Sequence, residues 1–237
     1  MQYKGRITRE NAFEIIKQFA KEYRKELGKV PGEIIIVGGV SIMLNYRFRD
    51  ATQDFDVILK TVSGVDDVIK KFADDYGLPR DWMNSDFVKT SSYSSVLYEI
   101  SKHFCTLNNG SLEIRTVSGV YLIAMKLRAH RDYRNDISDA IGVMISEMEI
   151  GNVITFEDIQ NAYTKLYNDK LSEELMNQMK LICNMNLEEL KSYYGKQNTS
   201  EQEMGEKIVT YIDEGANINT HNVDEVIAKI KEKLIKQ

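Results

Sequence analysis

The sequence predicts an α+β fold, with a mixed β-sheet flanked by helices over residues 1–118 and an all-α region over 119–237. Three observations predict it. Short β-branched runs and a strong hairpin signal are confined to the first half. Helical spacing of apolar residues takes over at Ser118 and continues to the end. The 237 residues are 43% hydrophobic and 28% charged, enough for a packed core without disulfides or a structural metal.

Thr8 is a candidate N-cap, and Ala12, Ile15, Ile16, Phe19, Ala20, Tyr23 and Leu27 follow it at helical spacing. Gly28 and Pro31-Gly32 end that helix. Residues 33–37 form a β-branched run too short for a core helix, so a buried strand is expected. Gly38-Gly39 ends it, and Ser41 is placed to cap a second helix reaching about Phe48. Over 54–60 the apolar Phe55, Val57 and Leu59 alternate with Asp54, Asp56 and Ile58, which predicts a strand. A helix follows over 66–76, closed by Gly77-Leu78-Pro79. Asn109-Gly110 between strand-like runs at 95–108 and 111–117 predicts a hairpin, because its turn needs positive φ at both central residues. Helices are then expected near 119–150, 155–168, 171–182, 186–195, 203–214 and 222–235. Thr-Val-Ser-Gly-Val occurs at 61–65 and 116–120, each time where a strand should give way to a helix capped by Ser63 or Ser118.

Charge and cysteine narrow the function. With 31 basic and 36 acidic residues the net charge is −5, which excludes a generally basic nucleic-acid coat but allows a local basic patch. Cys105 and Cys183 form no CxxC pair and fit a reducing, cytoplasmic setting. The longest apolar run, residues 34–44, is too short to span a bilayer, so no membrane partner is expected. His103 and Cys105 read as a surface histidine beside a packed cysteine rather than a zinc site, for want of a second ligand pair. Trp82 reads as an anchoring aromatic. P-loop, GxGxxG and Ser/His/Asp signatures are absent from the sequence.

The chemistry concentrates in IIIVGGVSIMLNYRFRDATQDFDVILK, residues 34–60. The order is strand, Gly-Gly turn, helix, loop, and a strand bearing Asp54 and Asp56 at i and i+2. Period-2 geometry puts both carboxylates on one face. Two adjacent carboxylates repel unless a cation sits between them, and Mg²⁺ commonly bridges such oxygens to phosphates. Gly38-Gly39 lets a ligand approach the backbone, and free N–H groups at the start of the next helix suit phosphate oxygens. Basic residues gather nearby, with Arg47 and Arg49 before the Asp-x-Asp strand and Lys126, Arg128, His130, Arg131 and Arg134 on one later segment.

This pattern resembles the nucleotidyltransferase superfamily with the DNA polymerase β-like minimal core. Within it, GGVSIMLNYRFRDATQDFDV, the segment from Leu78 to Asn84 and YLIAMKLRAHRDYRNDISDAIGVM are most similar to the AbiEii-type, toxin–antitoxin-related branch of unassigned function. The resemblance covers about residues 33–145. It implies that Gly38, Gly39 and Ser41 contact nucleotide phosphates and that Asp54 and Asp56 ligate two Mg²⁺ ions. It implies that Lys126 reaches the triphosphate or base side of the pocket, and that Asp136 holds Lys126 or Arg134 in place. Arg49 joins the nucleotide-binding set. Asn135-Asp136 replaces the frequent Lys-Asp of the family helix, and Gly-Val-Ser replaces an immediate Gly-Ser. The fold usually adds a third carboxylate from a neighbouring strand; alternation over 111–117 puts Glu113 on the face opposite Leu112 and Ile114, which makes it the catalytic candidate, with Glu99 as its competitor. The helical region should form one wall of the cleft. The implied activity moves a nucleoside monophosphate from an NTP to a hydroxyl acceptor (RNA or tRNA, a protein, or a small molecule), with a cognate antitoxin as a further partner. The alternative is an inactive nucleotide- or partner-binding module that keeps the fold.

Overall fold

The computed structural model describes residues 3, 6–46, 48–213 and 226–227. Arg47 and all but two residues of the helix expected at 222–235 lie outside the described residues. The elements are β1 (Ile7–Thr8), α1 (Ala12–Leu27), β2 (Gly32–Ile36), α2 (Gly38–Asn45), β3 (Ala51–Thr52), β4 (Phe55–Lys60), α3 (Val65–Tyr76), β5 (Met83–Asn84), α4 (Leu97–Ile100), β6 (Lys102–Leu107), β7 (Leu112–Thr116), α5 (Gly119–Ala129), α6 (Asp136–Glu149), α7 (Phe156–Tyr167), α8 (Glu173–Cys183) and α9 (Leu187–Asp213). The expected mixed sheet and helical remainder are both present.

The five-stranded sheet runs β5-β4-β2-β7-β6. β2 is antiparallel to β4 and parallel to β7, and β7 is antiparallel to β6. Alternation along β2 separates two cores. Ile34 and Ile36 face Phe55, Val57, Leu112 and Ile114 and the apolar faces of α1 and α3. Ile35 and Val37 face Ile58, Val117 and the helices from α5 onward. Trp82 is fully buried in the first core, edge-on to Phe19 and Phe55, with its indole N–H on the Ile69 carbonyl at 3.1 Å. It is the anchoring aromatic the sequence suggested, placed directly behind the strand that carries the aspartates.

Several boundaries differ from the sequence reading. Thr8 lies in β1, paired with β3, and α1 starts at the Asn11 N-cap. The hairpin forms, but its turn uses positive φ at Asn108, Asn109 and Gly110 rather than at two residues. The expected helix over 119–150 is two helices, broken where His130 adopts φ 36°. The helices expected at 186–195 and 203–214 are one, α9. Glycine at 195 costs a helix only about 1 kcal/mol, too little to break one packed on a neighbour.

The loop from Tyr46 to Asp50 fastens sheet and helices together. The Tyr46 hydroxyl donates to Glu147 at 2.6 Å, and Phe48 lies against Gly142. A Cβ at residue 142 would stand 2.4 Å from the Phe48 ring, and one at residue 119 would stand 2.3 Å from the Tyr46 hydroxyl. Phe48 is also held edge-on by Tyr194 of α9. No described helix is long and apolar enough to cross a membrane.

Gly142→Ala should therefore destabilise the protein by about 1–3 kcal/mol in urea denaturation, by overpacking against Phe48. Gly195→Ala, with no atom within 4 Å of the new methyl, should instead stabilise by up to about 1 kcal/mol.

Candidate active site

β2 ends and the antiparallel β4 begins at the head of α2, and this junction builds the site. The Val37 N–H donates to the Asp56 carbonyl at 2.9 Å, so Asp56 stands level with the residue that caps α2. The helix begins at Gly38, leaving the first-turn amides without helical acceptors ahead of them. Gly38 has φ 60°, and a Cβ there would lie 2.6 Å from Asp56 Oδ2. A Cβ at Gly39 would lie 2.9 Å from Thr52 Oγ1 and 3.1 Å from the Arg49 guanidinium. The glycine pair thus lets the site's own side chains close on the helix start.

Ser41 corrects an expectation. It is the fourth residue of α2, not its cap, and is fully buried. Its hydroxyl accepts the Val117 N–H and an Asn45 amide N–H, each at 3.4 Å. Ser41 ties α2 to the end of β7 and is turned away from the carboxylates' solvent side.

Asp54 and Asp56 flank Phe55, whose ring is buried in the sheet core. The Asn84 side chain donates to Asp54 Oδ2 at 3.1 Å and to the Asp81 carbonyl at 3.1 Å, while its own oxygen accepts the Asp86 N–H at 3.0 Å. All three polar positions of Asn84 are engaged, so it fixes Asp54. The Leu78–Asn84 segment carried this signal without a role attached. Burial, and then the charge of Asp54, push the Asp56 carboxyl up to about 6, against the pull of Lys126, Arg131 and Arg134. This is the condition of a carboxylate pair short of a cation.

The cations come from α5, the loop that follows it and the loop before β3, and their counter-carboxylates come from α6. Lys126 is largely buried and pairs with Asp136 Oδ1 at 3.0 Å and Asp139 Oδ2 at 2.8 Å. Arg131 grips Asp136 through Nε at 2.9 Å, Nη2 at 3.1 Å and its backbone N–H at 3.0 Å. Arg49 reaches across from the sheet side to Asp139. Burial alone would raise the Asp136 carboxyl, but the Lys126 ammonium and Arg131 guanidinium hold it well below the usual range. The expected partnership of Asp136 with Lys126 is present. Asp139 is the carboxylate that joins Lys126 to Arg49.

Glu113 is not brought to this cluster. It shares the sheet face of Asp56, but register pairs it with Glu33, four residues along β2 from Val37. That separates it from the Asp56 level by about 13 Å along the strands. It pairs with Arg115 at 3.1 Å instead. Glu99 lies on α4, not on a strand, and pairs with Lys165 at 3.2 Å. Continuing the register, Val117 is the β7-side residue nearest the Asp56 level, and it is buried.

Beside Asp54 opens a cleft of about 650 Å³, lined by Arg6, Arg49, Thr52, Asp81 and Arg134 among others. No group of three or more His, Cys, Asp or Glu poised around a metal occurs among the described residues. A two-carboxylate arrangement suits Mg²⁺, which keeps waters and binds through one or two carboxylates plus substrate phosphates.

A family model described as "Nucleotidyltransferase of unknown function (DUF6036)" matches residues 11–196, well over half of the chain. No curated protein and no solved structure matches the chain.

Asp56 gives the metal-free protein a pH signature. Its folded value of about 6 exceeds its ordinary value of 3.8, so the folded state holds the proton more tightly. The stability this contributes is complete below pH ~4 and is lost as pH rises through ~6, by at most about 3 kcal/mol. Asp56→Asn should therefore raise the thermal midpoint above wild type at pH 7.5, with the gap closing towards pH 4.5. A gap that widens on acidification would contradict the assignment.

Proposed function

The chain belongs to this nucleotidyltransferase family, and from that premise we propose that it transfers a nucleoside monophosphate from an NTP to a hydroxyl acceptor, with Mg²⁺. The observation that carries the proposal is the Asp54/Asp56 pair set against the open amide end of α2, with Lys126, Arg131 and Arg134 close enough to act on Asp56. The acceptor oxygen would bond to the α-phosphorus, the bond from that phosphorus to the β-phosphate oxygen would break, and pyrophosphate would leave with the acceptor's proton released to solvent. Asp54 and Asp56 would hold Mg²⁺, which when bound neutralises phosphate charge and lowers the pKa of an oxygen it contacts.

The remaining work falls to this chain's own groups. The amides of Gly38, Gly39 and Val40 are placed to donate to phosphate oxygens at the positive end of the helix. Lys126, Arg49 and Arg131 arrive already oriented by Asp136 and Asp139, so little side-chain freedom remains to be lost on binding. Arg6 and Arg134 line the cleft and can meet further anionic groups. RNA or tRNA, a protein side chain and a small molecule are the acceptor classes, and an antitoxin would be the natural partner if the chain acts as a toxin.

An inactive nucleotide-binding module is the second reading. The observation favouring it is Val117, which stands where a third acid from the neighbouring strand would be expected.

Incubation with each α-labelled NTP, Mg²⁺ and total cellular RNA or protein decides between them. Label should move to one acceptor class, and Asp54→Asn or Asp56→Asn should reduce the rate at least 100-fold without loss of fold. Lys126→Ala should weaken nucleotide affinity about tenfold. Mg²⁺ with the preferred NTP at 100 times its Kd should stabilise wild type by about 2.7 kcal/mol. Binding without transfer under all conditions would favour the inactive module, and no binding of any NTP would reject both.

A further inference from the structure

Among the described residues three acidic or basic side chains are fully buried: Asp136, Asp139 and Glu201. The first two sit in the ion-pair network. Glu201 has no cationic partner among the described residues. It projects from α9, and its Oε1 accepts the Ile137 N–H at 2.9 Å and the Ser138 N–H at 3.4 Å, while Oε2 accepts the Ser138 N–H at 3.3 Å. These are first-turn amides of α6. A buried carboxylate without a cation is costly, and burial raises its pKa despite these donors. The amides at the positive end of α6, with the side chains of Ser138 and Gln197, compensate it.

That same turn carries the site's counter-charges. Asp136 immediately precedes the two capped amides, and Asp139 follows them. Any rotation of this turn moves both carboxylates that hold Lys126, Arg131 and Arg49. Further contacts from α9 converge on the same parts. The Asn135 amide donates to Asn198 Oδ1 at 2.7 Å, and a Cβ at residue 205 would stand 3.2 Å from the Tyr133 carbonyl. Tyr194 stands edge-on to Phe48, next to Arg49. Glu201 and Gly205 lie beyond residue 196, where the family match ends.

We propose that Glu201 is a positioning residue for nucleotide binding. Through the amides of Ile137 and Ser138 it fixes the α6 turn that orients Lys126, Arg131 and Arg49. The C-terminal part of α9 is thereby a working component of the site, although it touches none of the reacting groups. The functional consequence rests on the nucleotidyltransferase reading; the positional claim rests on the geometry alone.

The test compares the full-length wild type with Glu201→Gln, which keeps shape and one acceptor oxygen but loses the charge, and Glu201→Asp, which keeps the charge but shortens the reach. Ile182→Ala, in the core of α8, serves as a control for stability loss alone. Two readouts are used: the affinity for each Mg²⁺-NTP, and the NMR signals of the Ile137 and Ser138 amides with the Lys126 and Arg49 side chains. Both Glu201 variants should fold, shift the Lys126 and Arg49 signals, and weaken NTP binding at least fivefold. Ile182→Ala should lower the thermal midpoint and leave affinity and those signals unchanged. Wild-type affinity and unmoved Lys126 and Arg49 signals in the variants would overturn the proposal, as would failure of both variants to fold, since Glu201 would then be a structural cap. Should wild type bind no NTP, the nucleotidyltransferase reading fails, and the Lys126 and Arg49 signals still decide whether Glu201 positions them.

Discussion

Two carboxylates held side by side without a matching cation are the constraint around which this molecule is arranged. Asp56 lies on β4 and Asp54 immediately before it, and burial first, then the charge of Asp54, raises the Asp56 carboxyl. The protein has cations near enough to relieve it, yet Lys126, Arg131 and Arg49 are committed to Asp136 and Asp139. Had those counter-carboxylates been absent, the lysine and arginines could collapse onto Asp54 and Asp56 and fill the site with internal ion pairs. Holding them back preserves both an uncompensated negative pair and a row of oriented donors. A metal–phosphate ligand carries the complementary charges to each.

The scaffold follows from that arrangement. The aspartates ride on β4, which is backed by Trp82 and Phe55 and cannot shift without disturbing the sheet core. Lys126 rides on α5, Arg131 and Arg134 on the loop after it and their counter-carboxylates on α6, and both helices belong to the other core. The two halves are registered by the loop from Tyr46 to Asp50, through the Tyr46–Glu147 hydrogen bond, the packing of Phe48 on Gly142 and the pair from Arg49 to Asp139. The required glycines are therefore places where a side chain of one half closes on the backbone of another element. Gly38 and Gly39 do the same at the helix head, for Asp56 and Arg49.

Much of this was legible in the sequence, because local patterns encode it. The strand of Asp54 and Asp56, the Gly-Gly break, the hairpin and the mixed-to-helical transition all announce themselves through alternation, breakers and spacing. What escaped depends on registry and on partners far away in the chain. The period-2 rule put Glu113 on the correct face, but only strand pairing shows that it stands four residues too far along. Ser41 looked like a helix cap because serine before an apolar run usually is one. The glycines, however, start the helix three residues earlier and turn Ser41 inward. Asp139 and Glu201 carry no distinguishing local signal, and Glu201 fell between two expected helices. Their burial is set by Lys126, Arg49 and the α6 amides, contacts that no window of sequence contains.

The position of Val117 shows why the two halves divide the chemistry as they do. Its N–H is taken by Ser41, and its side chain belongs to the core that joins the sheet to α5. A carboxylate there would be buried among Ile35, Val37, Leu122 and their neighbours, and burying a charge among apolar side chains is costly. Packing the helices onto this sheet face therefore excludes an acid from the β7 side of the site. The face that lost a carboxylate gained the helices, and they bring Lys126, Arg131 and Arg134 towards Asp56. Acidic groups from the sheet and basic groups from the helical layer are thus two consequences of one packing decision. On the proposed reading, the helical layer would supply the groups that meet an anionic ligand, and the sheet would supply two carboxylates rather than three.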